Sequence, residues 1–154
     1  MTITELIISY VFYGSIIVIG LVILGIIRTV TKAPSNSDIR QKLMVIKGKI
    51  ESVSEQIDEK SNEYYKMFRQ VTNIVYLIDH AVIYVTEAGE RERDTTFDQI
   101  RIKLEAARDI VSPYKFEKKS NYRPEDFREA AACLEDSIFM TDGIIERGKR
   151  VKGR

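Results

Sequence analysis

Hydrophobic and polar positions divide the chain into an uncharged N-terminal segment and a longer part in which apolar residues recur at helical spacing. From Leu6 to Ile27 the sequence runs for 22 residues without a charged side chain. A helix of about 20 apolar residues is long enough to cross the roughly 30 Å hydrocarbon core of a bilayer. The pattern therefore predicts a single transmembrane helix over residues 6–28.

A cleaved signal peptide and a buried core helix both fit this segment less well. Signal peptides have a basic n-region and an apolar run of about 7 to 15 residues, whereas residues 1–5 carry Glu5 and no base. A buried core helix would need apolar elements around it, and the rest of the chain is too polar to surround a helix that is hydrophobic on all sides. We therefore expect a membrane anchor, with the lipid bilayer as its first partner.

The charges that flank the span predict its orientation. Six basic residues and one acid lie between Arg28 and Ile50, while Glu5 is the only charge before the span. Loops rich in lysine and arginine stay on the cytoplasmic side of a membrane. We expect a single-pass protein of the cell membrane, with residues 1–5 as a short outside N-terminus and the C-terminal domain in the cytoplasm.

A second pattern begins after a polar linker, residues 29–38, in which Ser37 or Asp38 is expected to cap the next helix. Apolar residues then recur at four-three spacing from Ile39 to Val85, and only Lys60 interrupts them. The stretch contains no proline. This spacing predicts one continuous helix of about 48 residues, about 70 Å long at 1.5 Å per residue.

The apolar stripe of this long helix changes in width. Up to Ile57 it is narrow and flanked by polar residues, as in a coiled coil, whereas from Tyr64 onward apolar residues also flank it. Residues 39–63 therefore read as a coiled-coil stalk, parallel or antiparallel, that lacks intrachain partners. We expect a homo-oligomer whose interface consists of Ile39, Leu43, Ile46, Ile50, Val53 and Ile57.

Two further helices are predicted beyond a loop around Gly89. Phe97 to Val111 repeat the helical spacing, and Pro124 suits the first position of a last helix. These two helices are expected to pack on the wide stripe of the long helix and to form with it an antiparallel three-helix bundle over residues 64–147. Phe68 is expected to lie in the core of this bundle. The expected fold class is all-α: a transmembrane helix, a long coiled-coil-like helix, a cytoplasmic three-helix bundle and a basic tail, residues 148–154.

Composition restricts the chemistry that this chain can perform. Its 154 residues are about one domain's worth, and 24 basic against 23 acidic residues leave a net charge of +1. A single cysteine, Cys133, and a single histidine, His80, exclude intrachain disulfides, multi-cysteine zinc sites and histidine-rich metal sites. The run from Gly143 to Arg150 nearly matches a phosphate-binding loop, but it lacks the final hydroxyl residue and a preceding strand. We therefore predict no cofactor and no enzymatic activity.

Two basic stretches remain as candidate contacts for phosphate or lipid. Residues 114–123 interleave aromatic side chains with bases, a composition that stacks on nucleic-acid bases or sits at lipid headgroups. Alternatively, these aromatics cover the end of the bundle while the lysines solvate it. The candidate residues are Lys115, Lys118, Lys119 and Arg123 in this basic loop, and Arg147, Lys149, Arg150, Lys152 and Arg154 in the tail.

These patterns predict a membrane-anchored cytoplasmic helical scaffold or regulatory adaptor, which acts through self-association and contacts with a partner protein. The alternative is a membrane-tethered binder of nucleic acid or anionic lipid, which would use the basic loop and the tail. Salt dependence separates the two, because phosphate binding weakens steeply as salt rises and an apolar helix contact does not.

Overall fold

A computed structural model describes residues 2–30, 33–57 and 64–153, and in these ranges every regular element is a helix. The chain forms two compact units, residues 1–33 and 34–154. The first unit contains α1 (Ile3–Val30), and the second contains α2 (Asn36–Gln56), α3 (Tyr64–Glu92), α4 (Thr96–Val111) and α5 (Pro124–Lys152). Two short 3-10 helices, Ser112–Phe116 and Lys119–Asn121, lie between α4 and α5. The predicted all-α class is confirmed.

The first unit is the apolar helix that the uncharged segment predicts. From Ile3 to Ile27 it is long and apolar enough to cross a membrane, and the large side chains along it, such as Tyr10 and Leu24, are exposed. The hydroxyl of Ser15 donates to the Val11 carbonyl oxygen at 2.8 Å. A serine that bonds to its own helix adds little unpaired polar surface, which suits a helix surrounded by hydrocarbon.

The second unit is an antiparallel bundle of four helices. α2 packs against α3 and α5, and α4 packs against the same two helices. Contacts between helix ends fix the directions: the Asn36 side chain at the start of α2 donates to Glu92 at the end of α3, 3.0 Å away. Arg40 pairs with Asp142 near the end of α5. Each helix therefore runs opposite to both of its neighbours.

The bundle is held together by one apolar core to which all four helices contribute. Burial of a large aliphatic or aromatic side chain stabilises a fold by about 1.5 to 3 kcal/mol. The hydroxyls of Ser137 and Thr141 are also buried, and each donates to the carbonyl four residues earlier, at 2.8 Å. The largest fully buried side chains are Phe97, Phe127, Ile39, Leu43, Ile46, Ile50, Ile74, Ile78, Ile100, Leu104, Leu134 and Val53.

The prediction of one 48-residue helix with a protruding stalk is wrong. The helix that starts at Asn36 ends at Gln56, and the next helix begins at Tyr64 and runs in the opposite direction. Residues 58–63, the last part of the predicted stalk, lie outside the described residues. The apolar stripe of α2 therefore packs within its own chain, and the bundle has four helices rather than three.

The predicted core position of Phe68 is also wrong, because 40% of this side chain is exposed. Val71, Val75 and Ile78, on the same wide stripe, are buried, and Val82 is half-buried. Phe68 lies near the start of α3, on the flank of the apolar stripe.

The starts of α2 and α5 follow local sequence signals. Ser35, rather than the predicted Ser37 or Asp38, caps α2, and its side chain accepts from the Asp38 amide at 3.2 Å. Asp38 in turn accepts from the Ser35 amide at 2.8 Å, which completes a capping box. Pro124 is the first residue of α5, as predicted, with two acids in the first turn.

Candidate functional site

An exposed groove with a mainly apolar lining lies between α2 and α3. Its volume is about 430 Å³. Val45 on α2 and Tyr76 on α3 are 45% and 59% exposed. We call this surface the α2–α3 face; its groove is lined by Gln41, Lys42, Val45, Ile46, Tyr76, Leu77, His80, Ala81 and Tyr84.

Ring contacts order the side chains of the α2–α3 face. The His80 ring lies between two tyrosines four residues away on either side, with its centroid 4.3 Å from that of Tyr76 and 6.4 Å from that of Tyr84. The Lys42 ammonium lies 5.1 Å from the Tyr84 centroid, which is cation–π distance. The groove therefore combines aromatic and aliphatic walls with one cation at its edge.

Asp79 and His80, neighbours in sequence, have different partners. Asp79 accepts from Arg108 on α4 at 3.3 Å, whereas His80 lies on the α2–α3 face. Adjacent helical residues point about 100° apart. The pair therefore does not form an acid–base dyad.

A second groove, of about 630 Å³, lies between the end of α2 and the start of α5. Its charged lining consists of Glu51, Glu55, Arg128 and Glu135, on a floor that includes Ala131. Within residues 2–30, 33–57 and 64–153, no three histidine, cysteine or acidic side chains converge on a point that would hold a metal ion. This groove is an open, charged seam between two helices.

Cys133 and the glycine-rich run of α5 are parts of the bundle's framework. Cys133 is half-buried, and this burial is the main reason that the pKa of its thiol is raised. A raised pKa leaves less of the nucleophilic thiolate at neutral pH. Gly143 to Arg150, the near match to a phosphate loop, lies entirely inside α5, where the amides are used by the helix.

The basic loop has its aromatic side chains turned mostly into the protein. Tyr114 and Tyr122 are each 6% exposed and pack with Phe127, at centroid distances of 4.9 and 5.8 Å. The Tyr122 hydroxyl donates to the Tyr114 carbonyl at 2.8 Å, and the Tyr114 hydroxyl donates to Asp126. Burial and this bond to Asp126 raise the pKa of Tyr114 to about 12.

These contacts make the aromatic cluster an end cover of the bundle, and Phe116, 87% exposed, is the loop aromatic left at the surface. Two tyrosines held in this way have no face free for a nucleic-acid base to stack on. Among the basic residues, Lys115 is half-buried, and Lys118 and Arg123 are exposed. The Lys119 side chain lies outside the described residues.

The basic tail is the continuation of α5 as a helix. Lys149, Arg150 and Lys152 are exposed in its last turns, and among the described residues no ion pair involves them. Arg147, also predicted as a contact residue, instead donates to Asp94 at 3.0 Å and to the Thr96 hydroxyl at 3.2 Å. Arg154 lies outside the described residues. Lys149, Arg150 and Lys152 are therefore exposed to solvent, whereas Arg147 holds α5 against the start of α4.

The residues predicted as an oligomer interface belong to the core of one chain. Ile39, Leu43, Ile46, Ile50 and Val53 are at most 2% exposed, and Ile57 is half-buried. Self-association through this stripe would require that it lack partners within the chain. Since α3 and α5 supply those partners, the stripe is not available to a second chain in the folded bundle.

Sequence reasoning missed the α2–α3 face, although it contains a usable signal. Tyr76, His80 and Ile83 recur at helical spacing on the side of α3 away from its apolar stripe. Tyr76 and Ile83 lie outside the stripe that builds the core and are largely exposed. Such a second stripe in the sequence therefore indicates an exposed apolar surface.

Comparisons of the chain with protein-family models, with curated proteins and with solved structures gave no match.

Proposed function

We propose that this protein is a membrane-anchored cytoplasmic scaffold or regulatory adaptor that binds a partner protein through the α2–α3 face. The observation that carries the proposal is that Val45 and Tyr76, which line opposite sides of the groove, are both exposed. Single exposed apolar residues are common on soluble proteins, but a contiguous patch with a groove is typical of a binding surface. Tyrosines that are rigid and partly exposed are frequent anchors in such surfaces.

The shape and charge of the groove favour an amphipathic helix as its occupant. Tyr76, His80 and Tyr84 follow one another along two turns of α3, about 12 Å at 1.5 Å per residue. A groove between two helices accepts the apolar stripe of a third helix. Among the described residues that line the groove, Lys42 is the one lysine, arginine or acid, so an acidic residue beside the partner's apolar stripe would complement it.

The membrane anchor is supported by α1 and its flanking charges. α1 is long and apolar enough to cross a bilayer, and the excess of bases after it favours a cytoplasmic bundle. An adaptor held at a membrane meets its partners at a raised local concentration. A moderate affinity at the α2–α3 face is then sufficient.

The rival function, in which the basic loop and the tail together bind nucleic acid, has weaker support. The loop follows α4 and covers the start of α5, while the tail ends α5, so about 40 Å of helix separates them at 1.5 Å per residue. They therefore do not form one continuous surface. Two of the loop's aromatics, Tyr114 and Tyr122, are also buried.

Site-specific photocrosslinking in the full-length, membrane-bound protein tests the proposal. The photoreactive residue p-benzoylphenylalanine replaces Tyr76 or Val45 in the face and, as a matched control, Phe139, an aromatic of α5 that is 78% exposed. We expect protein adducts from positions 76 and 45, none from position 139, and loss of the adducts when Lys42→Glu is added.

The mass of the adduct identifies the partner. An adduct of twice the chain's mass means self-association through the α2–α3 face, and any other mass means a different protein. Absence of adducts at 76 and 45, equal adducts at 139, or adducts that Lys42→Glu leaves intact would contradict the proposed docking face.

A further inference from the structure

The last residues of α5 extend beyond the levels at which α2 and α4 start. In the antiparallel pair of α2 and α5, Arg40 lies opposite Asp142, so Asn36, four residues earlier, is level with Glu146, four residues later. On the other side, Asp94 before α4 contacts Arg147. Residues 148–152 therefore continue past the level at which α2 starts and α4 begins, by about 8 Å at 1.5 Å per residue. We call this segment the α5 overhang.

The α5 overhang is basic and solvated. It contains Lys149, Arg150 and Lys152, all exposed, and Val151, which is 77% exposed. Three acidic side chains at the same end of the bundle are engaged elsewhere: Asp94 accepts from Arg147, Glu92 from Asn36, and Asp142 pairs with Arg40. Among the described residues, the three cations of the overhang thus have no ion-pair partner.

The end of the bundle that carries the overhang is the end at which the chain arrives from α1. α1 ends at Val30 and α2 begins at Asn36. The five residues between them reach at most about 20 Å when fully extended. This limit holds for any relative orientation of the two units. The basic loop, by contrast, lies at the opposite end of the bundle.

We propose that the α5 overhang binds the anionic headgroups of the bilayer that α1 crosses. The proposal rests on the membrane anchoring in the proposed function. Cytoplasmic leaflets are negatively charged, and a basic residue near such a surface gains about 1 kcal/mol. The overhang contains no aromatic residue, and single-stranded nucleic acid is bound chiefly by stacking on aromatics together with a basic groove. Lipid phosphate is therefore the ligand that this segment fits.

The test measures how close the overhang lies to the headgroups. The full chain, with Cys133→Ser and Val151→Cys, is labelled with a donor fluorophore and reconstituted into vesicles that contain a headgroup-labelled acceptor lipid at fixed density. The vesicles consist of phosphatidylcholine alone or of phosphatidylcholine with phosphatidylglycerol. We expect more efficient energy transfer with phosphatidylglycerol than with phosphatidylcholine alone, and we expect this difference to shrink as salt rises, because mobile ions screen exposed charges.

Two triple variants, each of which removes three positive charges, distinguish an effect of the position of the charges from an effect of the net charge. Lys149→Gln, Arg150→Gln and Lys152→Gln together should lower the ratio of docked to undocked overhang about a hundredfold at low salt, at about 1 kcal/mol per base. Lys115→Gln, Lys118→Gln and Arg123→Gln, at the other end of the bundle, should leave the energy transfer unchanged.

Several results would overturn the proposal. Equal transfer in the two kinds of vesicle, or equal loss in both triple variants, would show that the overhang does not bind headgroups specifically. Binding of a labelled single-stranded oligonucleotide to the protein in phosphatidylcholine vesicles, lost in the overhang variant, would assign the segment to nucleic acid instead. Failure of the protein to float with either kind of vesicle would remove the membrane anchor as well, whereas flotation without lipid-dependent transfer would overturn this inference alone.

Discussion

Truncation of Ile50 distinguishes between two arrangements of α2: packing inside the four-helix bundle, and a stalk that pairs with another chain. Ile50 is fully buried, while Val45, on the same helix, is 45% exposed. Replacement of a buried isoleucine by alanine removes its transfer free energy and leaves a cavity, at a cost of about 2 to 5 kcal/mol. A substitution at a partly exposed position changes the free energy of unfolding by about 0.5 kcal/mol. We therefore expect Ile50→Ala to destabilise the bundle far more than Val45→Ala.

Thermal unfolding of the full chain in detergent micelles, followed by circular dichroism, measures the difference. A bundle of this size loses about 4 °C in Tm per kcal/mol, so Ile50→Ala should melt about 8 to 20 °C below the parent and Val45→Ala within a few degrees of it. The melting temperature should not depend on protein concentration, because the partners of Ile50 belong to the same chain. If both variants melt with the parent while Ile50→Ala abolishes chemically crosslinked oligomers, the stripe of α2 packs against a second chain and the four-helix bundle is wrong.

The remaining predictions concern close packing and alkaline pH. Gly48→Ala should raise the free energy of unfolding by about 1 kcal/mol, because glycine is that much poorer than alanine inside a helix and nothing lies within 4 Å of the added Cβ. Gly89→Ala places its Cβ 3.0 Å from that of Phe97, so this variant should be less stable than Gly48→Ala; equal urea midpoints would contradict the close approach of α3 and α4. The pKa of Tyr114 is raised to about 12 in the folded protein from about 10 in an unfolded chain. Between these pH values the folded state keeps a proton that the unfolded state loses. The stability that this group contributes is therefore fully present below about pH 10 and is lost as pH rises toward about 12. Tyr114→Phe should flatten this loss in urea titrations between those pH values, and an unchanged slope would refute the assignment to Tyr114.

The spacing of apolar residues predicts the buried face of each helix but not the chain that covers it. The stripe from Ile39 to Val53 is buried, as its spacing indicates, yet its partners are α3 and α5 rather than another copy. A narrow stripe is common to two-stranded coiled coils and four-helix bundles, because both use the same two core positions in seven. No proline or glycine between Gln56 and Tyr64 marks the reversal, and the four-three spacing continues across it.

The candidate binding surfaces were harder to predict from the sequence than the core, because they depend on how the helices pack together. Composition could not distinguish exposed from buried aromatics in the basic loop, where Tyr114 is buried and Phe116 is exposed. It also could not place the basic loop and the tail at opposite ends of α5, since that arrangement follows from the antiparallel order of the helices. The exposed residues of the α2–α3 face become visible only once the core stripe of α3 has been assigned.

The central claim is that α1 crosses the cell membrane once and leaves the bundle in the cytoplasm. Labelling with a membrane-impermeant maleimide tests it, with one cysteine introduced per variant in a Cys133→Ala background. Thr2→Cys lies just before α1, and Lys118→Cys lies in the exposed part of the basic loop. We predict that Thr2→Cys is labelled in intact cells and Lys118→Cys only after permeabilisation. Labelling of Lys118→Cys in intact cells, or release of the protein from membranes by alkaline carbonate, would contradict the account.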